Sequence, residues 1–333
     1  MTKSRCAEIL AALAGSRVLV IGDIMLDHFI WGRATRISPE APVPIVHLER
    51  ESFMPGAAAN VARNLTRLGA QATLFGATGR DPAAKKLTTL LRADGVDISG
   101  LVASPRRHTS TKMRIIAGQQ QVTRLDCETN SALDAATATT LWHKLEAALA
   151  KADAVIVGDY GKGVVTQKLL DALRRSCSKH RLWLSLDPKP AHALNLKGLS
   201  LLTPNRREAF QLAGLPDSTR TPNPMKDRQL LKAADHLIQQ LCPAVLLITL
   251  GELGMLLCLK GQGPIHFDTV ARQVFDVSGA GDTVIASFTM AIVAGASPAE
   301  AAVFSNHAAG VVVGKIGTAT VAPHELRKSF SPR

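Results

Sequence analysis

The sequence predicts an α/β protein: a mostly parallel sheet covered by helices on both faces, three layers in all, with a small β-sheet lid. Three observations predict it. Short apolar runs alternate with stretches of about 10–15 residues of helical periodicity. Polar residues follow the carboxyl ends of those runs, as they do for buried parallel strands that hold a ligand. Two segments, 28–51 and 109–126, break the alternation and have no helix of their own.

Each element has its local reason. Residues 6–15 read as an amphipathic helix, because Glu8 interrupts the apolar stretch and rules against a signal peptide. RVLVI at 17–21 is the first strand, ending in Gly22-Asp23. The segment 28–51 places Pro39, Pro42 and Pro44 among short β-prone pieces. Val61, Leu65 and Leu68 give 56–68 helical spacing; 72–75 is a second apolar run, and a helix follows near 83–92. Residues 109–126 form a hairpin, TSTKMRIIA and QQQVTRLD about Gly118. Further strands are expected at 154–158, 182–186, 199–202, 245–250 and 255–259. The uncharged stretch 283–299 is too short for the ~20 apolar residues of a membrane span and reads as one buried core helix. The two irregular segments supply four short strands from distant places, which would form a lid; two unrelated surface loops are the alternative. The length of 333 residues fits one large domain with an appendage, or two.

Composition narrows the function. The 333 residues are 46% hydrophobic and 20% charged, enough for a large core. The 39 Lys and Arg exceed the 27 Asp and Glu by +12, which invites nucleic acid, an anionic membrane or small phosphorylated ligands. The basic residues come as scattered pairs (Lys85-Lys86, Arg106-Arg107, Arg174-Arg175, Arg206-Arg207), and only one aromatic residue is a tyrosine. That distribution disfavours nucleic acid and leaves small anions. Five widely spaced cysteines with no CxxC pair suggest neither a disulfide framework nor a zinc site, and fit a reducing cytoplasm.

The most informative stretch is Asp276-Val-Ser-Gly-Ala-Gly-Asp282, a Gly-rich turn leading into an apolar helix. Its amides and the helix dipole suit an anion. A carboxylate at an anion site repels phosphate unless it takes a proton from a hydroxyl attacking that phosphate. A plain strand-to-helix turn, with Asp282 as a partner of the dipole, is the alternative. GxxxxGK[ST], GxGxxG, HRD, DFG, HExxH and GxSxG are all absent. Small residues at Pro55-Gly56-Ala57-Ala58-Ala59 allow close backbone approach, and Asn60 can donate to and accept from sugar hydroxyls; helix packing would explain the same run. Asp23 and Asp27, just past the first strand, suit pairs of hydroxyls.

Together these residues resemble the ribokinase or PfkB family of carbohydrate kinases, over about 17–325, which implies a ribokinase-like three-layer fold and, for the whole of 1–333, one domain. Asp276 to Asp282 resembles the family's DTxGAGD. By resemblance, Asp282 matches the catalytic base, and Gly279, Ala280 and Gly281 match the anion hole. Asn205-Arg-Arg-Glu208 resembles its NxxE, implying Mg²⁺ held through water. Thr249-Leu-Gly251-Glu-Leu-Gly254 resembles its nucleotide turn, and Asn306 lies where a late helix borders adenine. Asp276, Ser278 and Gly317 correspond to a site for a monovalent cation, K⁺. One position departs: Ala57 stands where the family often has a second glycine, so a contact needing positive φ there is in question.

Within the family the lid and pocket segments are most similar to the D-glycero-β-D-manno-heptose 7-phosphate kinases. They are 22–27, 36–45, 119–126, Gly158-Asp-Tyr-Gly-Lys-Gly163 and 311–320. This resemblance implies ATP-dependent phosphorylation at O1 to the 1,7-bisphosphate, on the route to the ADP-heptose of lipopolysaccharide. It also implies a stand-alone kinase without a nucleotidyltransferase domain, and a homodimer clasped through the lid. Asp27, Gly56, Ala57, Asn60 and Asp187 would line the sugar site. Lys112, Arg124 and Lys189 would hold the far phosphate. A kinase for fructose 6-phosphate, ribose or another sugar is the alternative enzyme. A catalytically silent sugar sensor is the alternative of another class, disfavoured by the intact Asp282, Asn205 and Glu208.

Overall fold

The computed structural model describes residues 1–118, 120–271 and 273–331. Gln119, within the resemblance at the hairpin, and residues 332–333, the end of the expected domain, lie outside the described residues. The first half runs α1 (Lys3–Ala12), β1 (Arg17–Gly22), β2 (Ile24–Ile37), β3 (Pro44–Ala57), α2 (Ala58–Leu68), β4 (Gln71–Thr78), α3 (Pro82–Ala93), β5 (Leu101–Ala103), β6 (Ser110–Ala117) and β7 (Gln120–Cys127). The second half runs α4 (Ala135–Leu149), β8 (Ala154–Gly158), α5 (Gln167–His180), β9 (Trp183–Asp187), β10 (Leu201–Leu202), α6 (Arg206–Ala213), α7 (Arg228–Leu241), β11 (Val245–Thr249), β12 (Met255–Leu259), β13 (Ile265–Phe267), α8 (Ala280–Val293), α9 (Pro298–Val312) and α10 (Pro323–Ser329).

A nine-stranded sheet in the order β13-β12-β11-β10-β9-β8-β1-β4-β5 is parallel except where β12 pairs with β11 and β13 with β12. Strand β1 shows why it is covered on both faces. Val18 and Val20 pack into one buried cluster with α1, α2, α8 and α9, while Leu19 and Ile21 pack into another with α4, α5 and α7. Among the described residues no helix is long and apolar enough to cross a membrane.

From β1 the chain moves outward to β4 and β5, then returns to β8 on the other side of β1 and continues to β11. The order reverses between β1 and β8, and ligands of open α/β sheets bind outside the carboxyl ends of strands at such a point. The second sheet, β3-β2-β6-β7, begins beside it. Strands β2 and β6 are parallel, and hairpin partners flank them.

The structure differs from the sequence expectation in three respects. Strands β2 and β3 are 14 residues each, not short pieces, and they start at Ile24 and end at Ala57, beyond 28–51. Pro39 and Pro42 lie in the turn between them and Pro44 opens β3; bulges near Gly32 and Thr35 absorb the irregularity. The stretch 283–299 is two helices, not one. Gly295 turns the chain with φ of 78°, and Ser297 caps α9 in a reciprocal box with Glu300, with Pro298 in the first turn. Strands β5 and β13, three residues each, were too short to show a period.

Candidate active site

The carboxyl ends of β1, β8, β9, β10 and β11 and the start of α8 converge on one edge of the main sheet. Asp23, just after β1, is buried and accepts backbone N–H groups from Tyr160 (2.9 Å), Lys162 (2.8 Å) and Val164 (3.0 Å). Three of its lone-pair positions go into shaping the loop after β8, so it is a scaffold for that loop.

Asp282 lies in the first turn of α8 and is 6% exposed. Asn60 Nδ2, from α2, donates to its Oδ2 at 2.8 Å, and the Tyr160 hydroxyl donates to its Oδ1. Burial pushes the Asp282 carboxyl up to about 6; the bonds from Tyr160 and Asn60 pull it down and the charge of Asp27 adds to the rise. A carboxyl in that range is suited to taking a proton near neutrality.

The helix start beside it is open to an anion. Gly279 caps α8 in the left-handed region (φ 75°) and no side chain caps the turn. Ala280 donates its amide to the Val277 carbonyl (3.2 Å), so it is turned away from the expected anion hole. The amides of Gly279, Gly281 and Asp282 have no acceptor among the described residues. A Cβ on Gly279 would stand 2.5 Å from Asn60 Nδ2, so glycine is needed there to keep Asn60 on the base. A Cβ on Gly281 would meet nothing nearer than Asp187 Oδ2 at 3.9 Å, which leaves that space for a ligand.

Asp187, at the end of β9, is pushed well above the usual carboxylate range by burial, then by the charges of Glu208 and Asp282. Asn205 and Glu208 cap α6 reciprocally: Asn205 Oδ1 accepts from the Glu208 amide (2.9 Å) and Glu208 Oε2 from the Asn205 amide (3.0 Å). A β-bridge sets Asn205 beside Thr249. Gly251 and Gly254 turn the chain after Thr249 with φ of 62° and 81°, and a Cβ on Gly254 would collide with the Phe267 carbonyl. Asn306 donates to the Asp268 carbonyl at 2.7 Å, fixing the strand-to-loop segment on that side.

The second sheet supplies the opposite wall. Asp27 is buried, and Arg114 Nη1 binds its Oδ1 at 2.5 Å. A Cβ on Gly56 would collide with Asp27 Oδ2, so that glycine makes room for the carboxylate. Ala57 keeps a positive φ of 56° although it is not glycine, so the backbone conformation survives the substitution at a cost in strain. The expected far-phosphate cations differ in their surroundings. Arg124 is clamped by Asp126 through two bonds of 2.8 and 2.9 Å. Lys189 is exposed beside Gly161. Lys112 is half-buried; burial, then the charge of Arg124, lowers its ammonium, and it has no ion pair among the described residues. Asp276 is drawn to Ser278 and Gly317, whose amides donate to it at 2.9 Å each. Burial raises its carboxyl, but these bonds and Arg114 outweigh it and leave it below its ordinary value.

Sequence reasoning missed two residues. Tyr160 was visible only as part of a motif, although it is the chain's single tyrosine. Arg114 was hidden in an alternating strand, two positions from Lys112.

The pfkB family carbohydrate kinase model matches residues 16–325. The chain belongs to the pfkB family of carbohydrate kinases. The kinase is 42% identical over 313 residues to the bifunctional protein HldE of Sulfurimonas denitrificans, covering 94% of this chain and 64% of that protein. It is 41% identical over 320 residues to HldE of Caulobacter vibrioides, covering 96% and 64%. The chain thus spans just under two thirds of the length of these relatives. Among solved structures, the kinase resembles Arabidopsis thaliana ribokinase complexed with ribose and ATP (TM-score 0.75, 19% identity, 96% of this chain and 100% of that one). It also resembles Escherichia coli phosphofructokinase-2 in complex with potassium (TM-score 0.76, 20% identity, 95% and 98%). At these identities the structural likeness establishes the ribokinase-like fold alone.

Proposed function

We propose that this carbohydrate kinase transfers the γ-phosphoryl group of ATP to O1 of D-glycero-β-D-manno-heptose 7-phosphate, on the route to ADP-heptose for lipopolysaccharide. The observation that carries the reaction type is a buried carboxylate, Asp282, beneath the open amides of a helix start. Asp282 takes the proton of the anomeric hydroxyl as the O1–Pγ bond forms. The bond from Pγ to the bridging oxygen breaks, and ADP leaves with that electron pair. The amides of Gly279 and Gly281 receive the charge on the transferring group.

Three features support the substrate. The lid and pocket segments resemble heptose 7-phosphate kinases, the similarity to HldE runs over nearly the whole chain, and Lys112 offers a half-buried cation to a second phosphate. Thr249, Gly251, Gly254 and Asn306 would border the nucleotide. Asp27, Gly56, Ala57, Asn60 and Asp187 would border the sugar.

The residues fit Mg²⁺ held through water by Asn205 and Glu208, the pair that caps α6. Glu208 and Asp187 are neighbouring hard oxygen donors whose mutual repulsion a hydrated cation relieves, while no group of three metal-binding side chains is found among the described residues. When bound, Mg²⁺ neutralises charge on the ATP phosphates. Asp276, kept ionised, with Ser278 and Gly317 would hold K⁺. The lid would clasp a second copy, covering Ile37, Leu48 and Leu125, which are exposed. The location is the cytoplasm, in keeping with the five free cysteines.

The test is ATP consumption against a panel of sugars and sugar phosphates, with the product's phosphate position read by phosphorus NMR. Heptose 7-phosphate should be preferred and an anomeric phosphate should appear. Preference for ribose, fructose 6-phosphate or another hexose would overturn the substrate, and no turnover with any acceptor would favour the sensor.

A further inference from the structure

Asp282 faces an unfavourable neighbourhood for a general base. Asp27 from β2 brings negative charge toward it, Asp187 from β9 lies near enough for its own carboxyl to be raised by Asp282, and Asp282 is nearly sealed from water. No lysine or arginine pairs with it among the described residues. Among the described residues two neutral donors act on its oxygens: Asn60 on one and the Tyr160 hydroxyl on the other.

Tyr160 is held in place with some care. Its amide donates to Asp23, as do those of Lys162 and Val164, so a buried carboxylate after β1 fixes the loop after β8. Glycine at 158 leaves room for the ring, since a Cβ there would be 3.1 Å from Tyr160 Cε2. Lys162 is tied to Glu128, just past β7, at 2.5 Å, and Arg107 donates to the Lys162 carbonyl at 2.5 Å. The loop is thus anchored on the main sheet and at the root of the small sheet. Burial, then Asp282 and Asp187, push the phenol itself well above its ordinary range, so it stays a donor at any working pH.

We infer that Tyr160 is a positioning residue for the phosphoryl transfer: its hydroxyl holds the Asp282 carboxylate toward the acceptor hydroxyl and keeps it ionised in an acidic pocket. The bond favours the charged form of Asp282. Losing it makes protonation easier, so the base becomes available only at higher pH.

This inference rests on Asp282 being the base, and the experiment separates the two. The pH dependence of kcat/KM is measured for the full chain, Tyr160→Phe and Asp282→Asn with the same sugar phosphate and ATP. Phenylalanine keeps the ring and removes only the donor. The acid limb of Tyr160→Phe should move up by about one pH unit, the effect of losing one hydrogen bond to a charged group. Activity should fall about tenfold below that limb and recover to within a few-fold above it. A purely structural role for the ring would lower the profile by the same factor at every pH, and that parallel profile, or an unchanged one, would overturn the inference. If Tyr160→Phe does not fold, as judged by thermal unfolding, the acid limb of Asn60→Ala takes its place. Loss of the other neutral donor should move that limb in the same direction, and an unmoved limb would refute control of the base by neutral donors. Activity surviving in Asp282→Asn would instead sink the assignment of the base.

Discussion

Replacing Asp282 by asparagine should make the protein more stable and nearly inactive, and the gain in stability should grow with pH. Burial raises the folded-state carboxyl from 3.8 to about 6. The folded state therefore holds this proton more tightly than the unfolded chain. The stability contributed by Asp282 is complete below 3.8 and is lost as the pH rises through about 6. At about 1.36 kcal/mol per pH unit the loss approaches roughly 3 kcal/mol. Asparagine does not titrate and escapes it. The substitution keeps the acceptor for Tyr160 but turns an amide toward the Asn60 amide, which must flip; that reorganisation lowers the expected gain to about 1–2 kcal/mol near neutrality. Denaturant unfolding of both proteins without ligands, at about pH 4 and about pH 7.5, checks this, and a coupled ADP assay should show kcat reduced by at least ~10²-fold. A stability difference that is the same at both pH values would refute the burial argument. Retained activity would refute the role of the base.

Other substitutions test the rest of the site. Lys112→Met should raise KM for the phosphorylated sugar roughly 10- to 100-fold with little change for ATP, as loss of a charge-assisted contact predicts. Arg124→Ala should do less because Asp126 already engages that cation. Equal KM values with and without Lys112 would place the phosphate elsewhere. Gly279→Ala adds a Cβ 2.5 Å from Asn60 Nδ2 at a φ of 75°; it should cost about 1–2 kcal/mol in unfolding measurements and at least ~10-fold in kcat. A variant with normal turnover would show that Asn60 need not stay on Asp282. Asp23→Ala strands three amide donors and should cost at least ~3 kcal/mol and expose the loop to trypsin at Lys162; a loss under ~1 kcal/mol would refute the scaffold role.

Local order is legible in this sequence. Strands β1, β8, β11 and β12 fall within a residue of their expected places because each is a short, mainly apolar run. The anion-binding turn was legible because two glycines and a helix start are adjacent in the chain. Reading 283–299 as one helix failed because apolar composition reports burial and says nothing of continuity; the break lies in the caps Ser297, Pro298 and Glu300. The length of β2 and β3 was obscured because their outer halves are exposed and lack alternation.

The sequence alone thus determined the layers, the Gly-rich turn and the carboxylate within it, since period, turn chemistry and capping act over a few residues. Only the tertiary structure decided that Tyr160 and Asn60, 122 and 222 positions away, bind Asp282, and that Asp23 is spent on a loop. It also decided that Arg114 meets the carboxylate of Asp27 and that Arg124, expected at the far phosphate, is engaged by Asp126. These pairings depend on which strand ends meet at the reversal between β1 and β8 and on the register of β2 against β6. Burial follows from the same meeting: the side chain of Asp282 leaves water, and that of Asp187 does so in part, because distant segments close over them, and that closure raises their proton affinities.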